Sequence, residues 1–210
     1  MSLVVENITY EYSKGNPVFD DFSVRVEDGE LVALVGPSGC GKTTLLHCIV
    51  GLLLPIRGKV SIDGTDITSK KPHERGVGIM MQDQPLYEHL SVAQNIAFPL
   101  CTRGKSEDIS DLIAQLGLTG IAKQKVAKCS GGERRRVAFG RAIVTSPKIL
   151  LLDEPFVSLN AELRKTMRAL IQGSGITTLF VTHDAQEADG FADRKIELLS
   201  DSHVETRTSQ

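Results

Sequence analysis

The segment that most narrows what this chain can fold into is Gly36-Pro37-Ser38-Gly39-Cys40-Gly41-Lys42-Thr43, which directly follows the apolar run Leu31–Val35. Five apolar residues without alternation read as a strand covered on both faces, as in a parallel sheet. The stretch from about Lys42 to Gly51 then carries apolar residues at helical spacing. A Gly-x-x-x-x-Gly-Lys-Thr loop between strand and helix brings several backbone N–H groups around an anion at a helix N-terminus, where the helix dipole also favours negative charge. The glycines let the backbone approach closely. In such a loop Lys42 bridges the β- and γ-phosphates, Thr43 offers its hydroxyl to magnesium and Thr44 reaches the α-phosphate. The chain is therefore expected to bind magnesium-ATP.

A second element points the same way. Ile149-Leu150-Leu151-Leu152-Asp153-Glu154 is an apolar strand that ends in two carboxylates. Alone, such a pair is more often a solvated turn. Beside a phosphate loop, Asp153 is expected to hold magnesium through water, and Glu154 is the candidate general base for the attacking water.

The chain has 210 residues, 41% apolar and 24% charged, which suits one globular domain and leaves no room for a second full one. With 24 Lys+Arg against 26 Asp+Glu the net charge is -2, so no nucleic-acid partner is expected, and the basic cluster Arg134-Arg135-Arg136 is too short to alter that. Cys40, Cys48, Cys101 and Cys129 lack Cys-x-x-Cys spacing, which argues against a disulfide scaffold or a zinc site and for a reducing cytosol. No segment approaches the roughly 18 apolar residues of a membrane span, and the N-terminus lacks the basic-then-apolar pattern of a signal peptide.

Strands are read at Leu3–Ile8, Phe22–Val26, Leu31–Val35, Gly58–Asp63 and Val77–Met81, and again at Ile149–Leu152 and Thr178–Val181. Between them, from about Pro85 to Thr145, Val92–Ala97, Ile109–Leu116 and Gly132–Val144 show helical spacing, as does the region Ala161–Ile171 later. The expected organisation is a β subdomain and core over about 1–84, a helical subdomain over about 85–145, the remaining core over about 146–200 and a fraying polar tail over 201–210.

With these residues in place, the chain resembles the nucleotide-binding subunits of ATP-binding-cassette transporters over almost its whole length. The motif that decides it is Cys129-Ser130-Gly131-Gly132-Glu133, which is similar to that family's Leu-Ser-Gly-Gly-Gln signature with Cys and Glu at its edges. Read from the residues, Ser-Gly-Gly is a helix cap that presents a hydroxyl and N–H groups to an anion, or an ordinary cap. The resemblance implies that Ser130, Gly131, Gly132 and Glu133 serve the γ-phosphate bound to an opposite subunit. Glu133 would then bring negative charge near a phosphate, face solvent, or pair with an arginine.

The resemblance also implies an α/β P-loop NTPase (RecA-like) core with a mostly parallel sheet, an N-terminal antiparallel β subdomain and an α-helical subdomain. It assigns Tyr12 to stacking on adenine, where the residues alone allow a half-buried strand aromatic. Gln82 would contact magnesium and water, the alternative being a surface amide, and His183 in Val181-Thr182-His183-Asp184 would sense the γ-phosphate and support Glu154. His47, His73, His89 and His203 show no ligand spacing. Ser158-Leu159-Asn160 holds the place of a segment that crosses the dimer interface and usually ends in Asp, and Cys40 and Cys129 would be oxidation-sensitive if exposed.

The implied partners are a second copy or a homologous ATPase subunit, integral membrane permease subunits and a solute-binding protein, at the inner face of the cytoplasmic membrane. Pro155-Phe156, the Gln82–Leu86 segment and His89–Ile96 look most like small-solute importers; an exporter or lipoprotein-release ATPase, a DNA-repair or ribosome-associated ATPase, or an inactive binding or regulatory module are the alternatives. No C-terminal regulatory domain is expected.

Overall fold

The computed structural model describes residues 1–83, 85–156, 159–198 and 208–209. In chain order the elements are β1 (Leu3–Ser13), β2 (Asn16–Val26), β3 (Leu31–Val35), α1 (Lys42–Val50), β4 (Arg57–Ile62), β5 (Thr65–Asp66), β6 (Val77–Met80), α2 (Val92–Thr102), α3 (Ser110–Gln115), α4 (Gly131–Ile143), β7 (Ile149–Asp153), α5 (Ala161–Ser174), β8 (Thr177–Thr182), α6 (Ala185–Ala188), β9 (Arg194–Glu197) and β10 (Thr208–Ser209).

Two sheets organise them. The first is antiparallel in the order β2-β1-β4-β5; the second runs β10-β9-β3-β8-β7-β6 and is parallel except for its β10 edge. All five residues of β3 are buried, as the unbroken apolar run implies, and its alternation divides them between two cores. Leu31, Ala33 and Val35 face a cluster shared with α2, α4 and α5, while Val32 and Leu34 face one shared with α1 and the antiparallel sheet. The parallel sheet is thus covered on both sides, and the phosphate loop leaves the C-terminal end of a central strand, where α/β proteins gather ligands.

Between residues 81 and 148 the chain turns helical. Val92 and Ile96 of α2 and Val137, Phe139 and Ala142 of α4 fill the first core at helical spacing. Ser91 caps α2, and Ser130 caps α4.

Two strands exceed what their patterns suggest. β1 continues to Ser13 and β2 begins at Asn16, because bulges break the alternation: register shifts follow Val5, and Asn7 and Asp21 have φ of 52° and 61°. The side chains of those two residues meet, Asn7 Nδ2 donating to Asp21 Oδ1 at 2.6 Å. β9 reads Arg-Lys-Ile-Glu, so only its partnership with β3 and the burial of Ile196 make it a strand. Of the tail 201–210, backbone pairing is described only for Thr208 and Ser209; the expected fraying of the remainder lies outside the described residues.

One buried cation ties the phosphate-loop helix to the segment that follows β5. Arg75 is 3% exposed and donates to the carbonyls of Cys48, Ile49, Lys70 and Thr68 at 2.6–2.9 Å. Cys48 and Ile49 lie in the last turn of α1, whose carbonyls lack helical partners. Gly51, with φ of 87°, makes room: a Cβ there would lie 2.4 Å from Arg75 Nε. Replacing Arg75 with Met strands these acceptors, and urea unfolding should show a loss of about 3 kcal/mol; a loss below about 0.5 kcal/mol would contradict the clasp.

Candidate active site

A cleft of about 530 Å³ opens where the phosphate loop meets the ends of the neighbouring strands. Its lining brings together Tyr12, Ser38, Gly39, Gly41, Lys42, Thr43, Thr44, Gln82, Asp153, Glu154 and His183, residues drawn from five separate stretches of sequence. Val18, from β2, completes the wall.

The loop's shape follows from its glycines. Gly39 and Gly41 have φ of 85° and 96°, values that an L side chain rarely adopts, and a Cβ on Gly41 would lie 2.6 Å from Val18 and 2.7 Å from Phe19. Gly36 is held just as closely, since a Cβ would lie 2.8 Å from the Leu198 carbonyl. Pro37 accepts from the Cys40 N–H at 3.4 Å, a turn inside the loop. Lys42 is 7% exposed, and its ammonium donates to the carbonyls of Gly36 at 2.6 Å and Pro37 at 2.9 Å. The Cys40 sulfur lies 4.0 Å from the same ammonium. Cys40 and Cys129 are free thiols and half-buried.

The loop is coupled to β7 through one short contact: the Thr43 hydroxyl donates to Asp153 Oδ2 at 2.9 Å. Asp153 is 3% exposed, and burial holds its carboxyl above the usual carboxylate range, with the Thr43 hydrogen bond opposing and the Glu154 charge adding. A hydroxyl and a carboxylate side by side are hard oxygen donors of the kind magnesium takes along with phosphate oxygens and water. No cluster of three or more His, Cys, Asp or Glu side chains able to cage a metal occurs among the described residues.

Glu154 departs from the strand. Its φ is 48°, an uncommon conformation for a non-glycine residue, held by its N–H donating to the Val181 carbonyl at 3.0 Å. The turn aims its side chain at β8, where Glu154 Oε1 lies 2.9 Å from His183 Nδ1. That hydrogen bond, then the negative charge of Glu154, raises the His183 pKa above its ordinary 6.5. The contact therefore stabilises the protein fully below pH 6.5 and loses its effect as pH rises through the folded-state value.

Tyr12 reaches the cleft from β1 with 66% of its surface exposed, its ring set edge-on against Tyr10 and its hydroxyl 3.0 Å from Thr44 Oγ1. The Thr44 hydroxyl thus already has a partner. Gln82 lies exposed in the turn after β6. Gln84, within the Gln82–Leu86 segment, and Ser158 lie outside the described residues.

Ser130, Gly131, Gly132 and Glu133 do not join this cleft; they open α4, and Gly132 lines a second cleft of about 420 Å³ beside Arg136 and Asn160. Glu133 is half-buried at the start of α4. It folds back onto the cap: the Ser130 N–H and hydroxyl donate to Glu133 Oε2 at 2.7 and 3.0 Å, and the Glu133 N–H returns a bond to Ser130 Oγ. These bonds hold its carboxyl below the usual range, the Ser130 N–H contributing most. The arginine next door, Arg134, pairs instead with Glu88 at 2.6 Å. Asn160 keeps a structural role without charge, accepting from the Leu163 N–H at 2.9 Å as the cap of α5. Two neighbours that sequence reasoning missed, Thr182 and Glu187, contact one another beside Glu154; the only signal for Thr182 is its place in the Val-Thr-His-Asp motif, next to the histidine.

Known proteins with this arrangement are numerous. The sequence profile of the ABC transporter family matches residues 19–157. The sulfate/thiosulfate import ATP-binding protein CysA of Mesorhizobium japonicum is 42% identical, covering 98% of this chain and 62% of the relative. The trehalose import ATP-binding protein SugC of Mycobacterium tuberculosis is 40% identical over 92% of this chain and 52% of its own length. The chain thus spans between about half and two thirds of the length of these curated relatives. Among solved structures, the dimeric ABC transporter cassette MJ0796 superposes with a TM-score of 0.85 at 27% identity, covering 99% of this chain and 98% of that one. The same cassette in a post-hydrolysis state bound to ADP and Pi gives 0.86. The chain belongs to the ABC transporter family as one of its ATP-binding domains.

Proposed function

We propose that this chain binds and hydrolyses magnesium-ATP to energise a solute importer, working as a dimer in which each phosphate loop is completed by the α4 N-terminus of a second copy. The observation that carries this reading is the Thr43–Asp153 hydrogen bond, which unites the loop and the β7 strand end in one cleft that Glu154 and His183 also face. Import is the reading favoured by relatives named for sulfate, trehalose and sn-glycerol-3-phosphate import. Solute identity, the permease and any solute-binding protein lie with other chains.

In this reading the loop N–H groups and Lys42 take the β- and γ-phosphates, Lys42 exchanging its two carbonyl partners for charged oxygens. Thr43, Asp153 and Gln82 would hold magnesium, which supplies neutralisation of the developing phosphate charge. Glu154 accepts the proton of the water that attacks the γ-phosphorus, His183 fixes one Glu154 oxygen, and Tyr12 stacks on adenine. Ser130, Gly131 and Gly132, with Glu133 beside them, serve the triphosphate on the partner chain. The helical region 85–145 acts as a subdomain that moves with closure and meets the membrane subunits.

Glu154→Gln should leave ATP affinity within about twofold while lowering turnover by roughly 10²- to 10⁴-fold; turnover near wild type in a phosphate-release assay would remove Glu154 as the base. Lys42→Ala should weaken ATP binding by about tenfold or more, since it removes a charge-assisted contact, and calorimetry giving wild-type affinity would take Lys42 out of the phosphate site. In the nucleotide-free protein, NMR titration of His183 should give a midpoint above 6.5 that falls back toward 6.5 in Glu154→Gln. An unshifted midpoint in the wild type would contradict the His183–Glu154 contact.

A further inference from the structure

Outside the lining of the cleft, a group of buried polar side chains meets Glu154 from the other strand end. Thr182, the last residue of β8, is fully buried. Its hydroxyl oxygen lies 2.8 Å from Glu187 Oε2 and 3.4 Å from Glu154 Oε2, and accepts from the Asp184 N–H at 3.1 Å. Two carboxylates therefore share one hydroxyl, which carries one proton.

Glu187 is anchored on its own side. Its side chain is 10% exposed; its N–H donates to the Asp184 carbonyl at 3.1 Å, and Arg164 approaches Oε1 at 3.4 Å. Arg164 also donates to the Phe156 carbonyl and lies over the Phe156 ring, 5.6 Å from its centre. From α4, the positive charge of Arg135 acts on both Glu187 and Glu154, with no ion pair to either among the described residues. Glu187 is thus a fixed acceptor that competes with Glu154 for the single Thr182 proton.

We propose that Thr182, its oxygen fixed by the Asp184 N–H and its hydroxyl set between Glu187 and Glu154, is the positioning residue for Glu154 in the hydrolysis reading above, on which this inference rests. His183 holds one carboxylate oxygen of Glu154 and Thr182 meets the other, so the carboxyl group is restrained against rotation about its last torsion. Without the hydroxyl, two like-charged carboxylates face one another with no donor between them, and Glu154 turns away from Glu187. Thr182 is not part of the cleft lining; it acts through Glu154.

Steady-state turnover of Thr182→Val, Thr182→Ser and Glu187→Ala, each with and without Glu154→Gln, tests this. Valine keeps the shape of a buried threonine and removes only the hydroxyl, whereas serine keeps the hydroxyl. Thr182→Val should lower kcat about tenfold, with KM for magnesium-ATP and the calorimetric ATP affinity within about twofold, because orientation and not binding is lost. Thr182→Ser should restore kcat to within about twofold of wild type, and Glu187→Ala, which leaves the Thr182 proton to Glu154 alone, should keep kcat at or above about half of wild type. In the Glu154→Gln background Thr182→Val should not slow the residual rate further, since the group it positions is gone. Wild-type kcat in Thr182→Val, a serine or Glu187→Ala variant as slow as valine, or losses that multiply with Glu154→Gln would overturn the positioning role. No turnover in the wild type would instead refute the hydrolase reading, and this role with it.

Discussion

The buried ammonium of Lys42 is the interaction on which the rest of the site depends. A charge that is 7% exposed must be satisfied, and here two carbonyls of the same loop do it. Those contacts hold the loop curled between β3 and α1, with its N–H groups free to converge. Glycine at 41 is required twice over, by its φ of 96° and by the approach of Val18 and Phe19 from the antiparallel sheet. The small sheet thus shapes the loop as well as completing the second core. An arriving triphosphate gives the ammonium stronger partners in nearly the same place, so much of the ordering precedes binding.

The two acids that end β7 diverge in environment, and that divergence separates their roles. Asp153 continues the strand, is buried and is tied to Thr43, which keeps it beside the loop hydroxyl. Glu154 leaves the strand with φ of 48° and is met by β8, where His183 and Thr182 take its two oxygens. Backbone strain of this kind persists only where surrounding contacts over-determine it. The Val181 carbonyl, His183 and the Thr182–Glu187 pair supply those contacts.

Much of this architecture is legible in the amino-acid sequence, because the informative residues carry local chemistry. The loop, the acid pair and the Ser-Gly-Gly cap each announce themselves by type and spacing, and the five-residue apolar run of β3 correctly implies a sheet covered on both faces. What stays hidden depends on partners remote in sequence. β9 is three-quarters charged and becomes a strand only beside β3. The bulges at Asn7 and Asp21 shift the alternation, so half of the β1–β2 hairpin has no readable period. Glu133 reads in sequence as a charge near a phosphate, in solvent or on an arginine, and the capping contact of its oxygen with the Ser130 N–H three residues back is not among those readings. Ser91 and Gln94 form the same box without charge at the start of α2. Arg75, Thr182 and Glu187 carry no motif of their own; their roles come from burial and from the carbonyls and carboxylates that the fold sets around them.

The central claim is that the cleft is half a site. Its own chain brings Lys42, Thr43, Gln82, Asp153, Glu154 and His183 together, while Ser130 to Glu133 cap a helix elsewhere and leave that cleft open on one side. The measurement that tests this most directly is sedimentation velocity of the Glu154→Gln chain with and without magnesium-ATP. The account predicts a monomer without nucleotide that becomes a dimer when magnesium-ATP is added; a chain that binds magnesium-ATP yet stays monomeric at every protein concentration would contradict it.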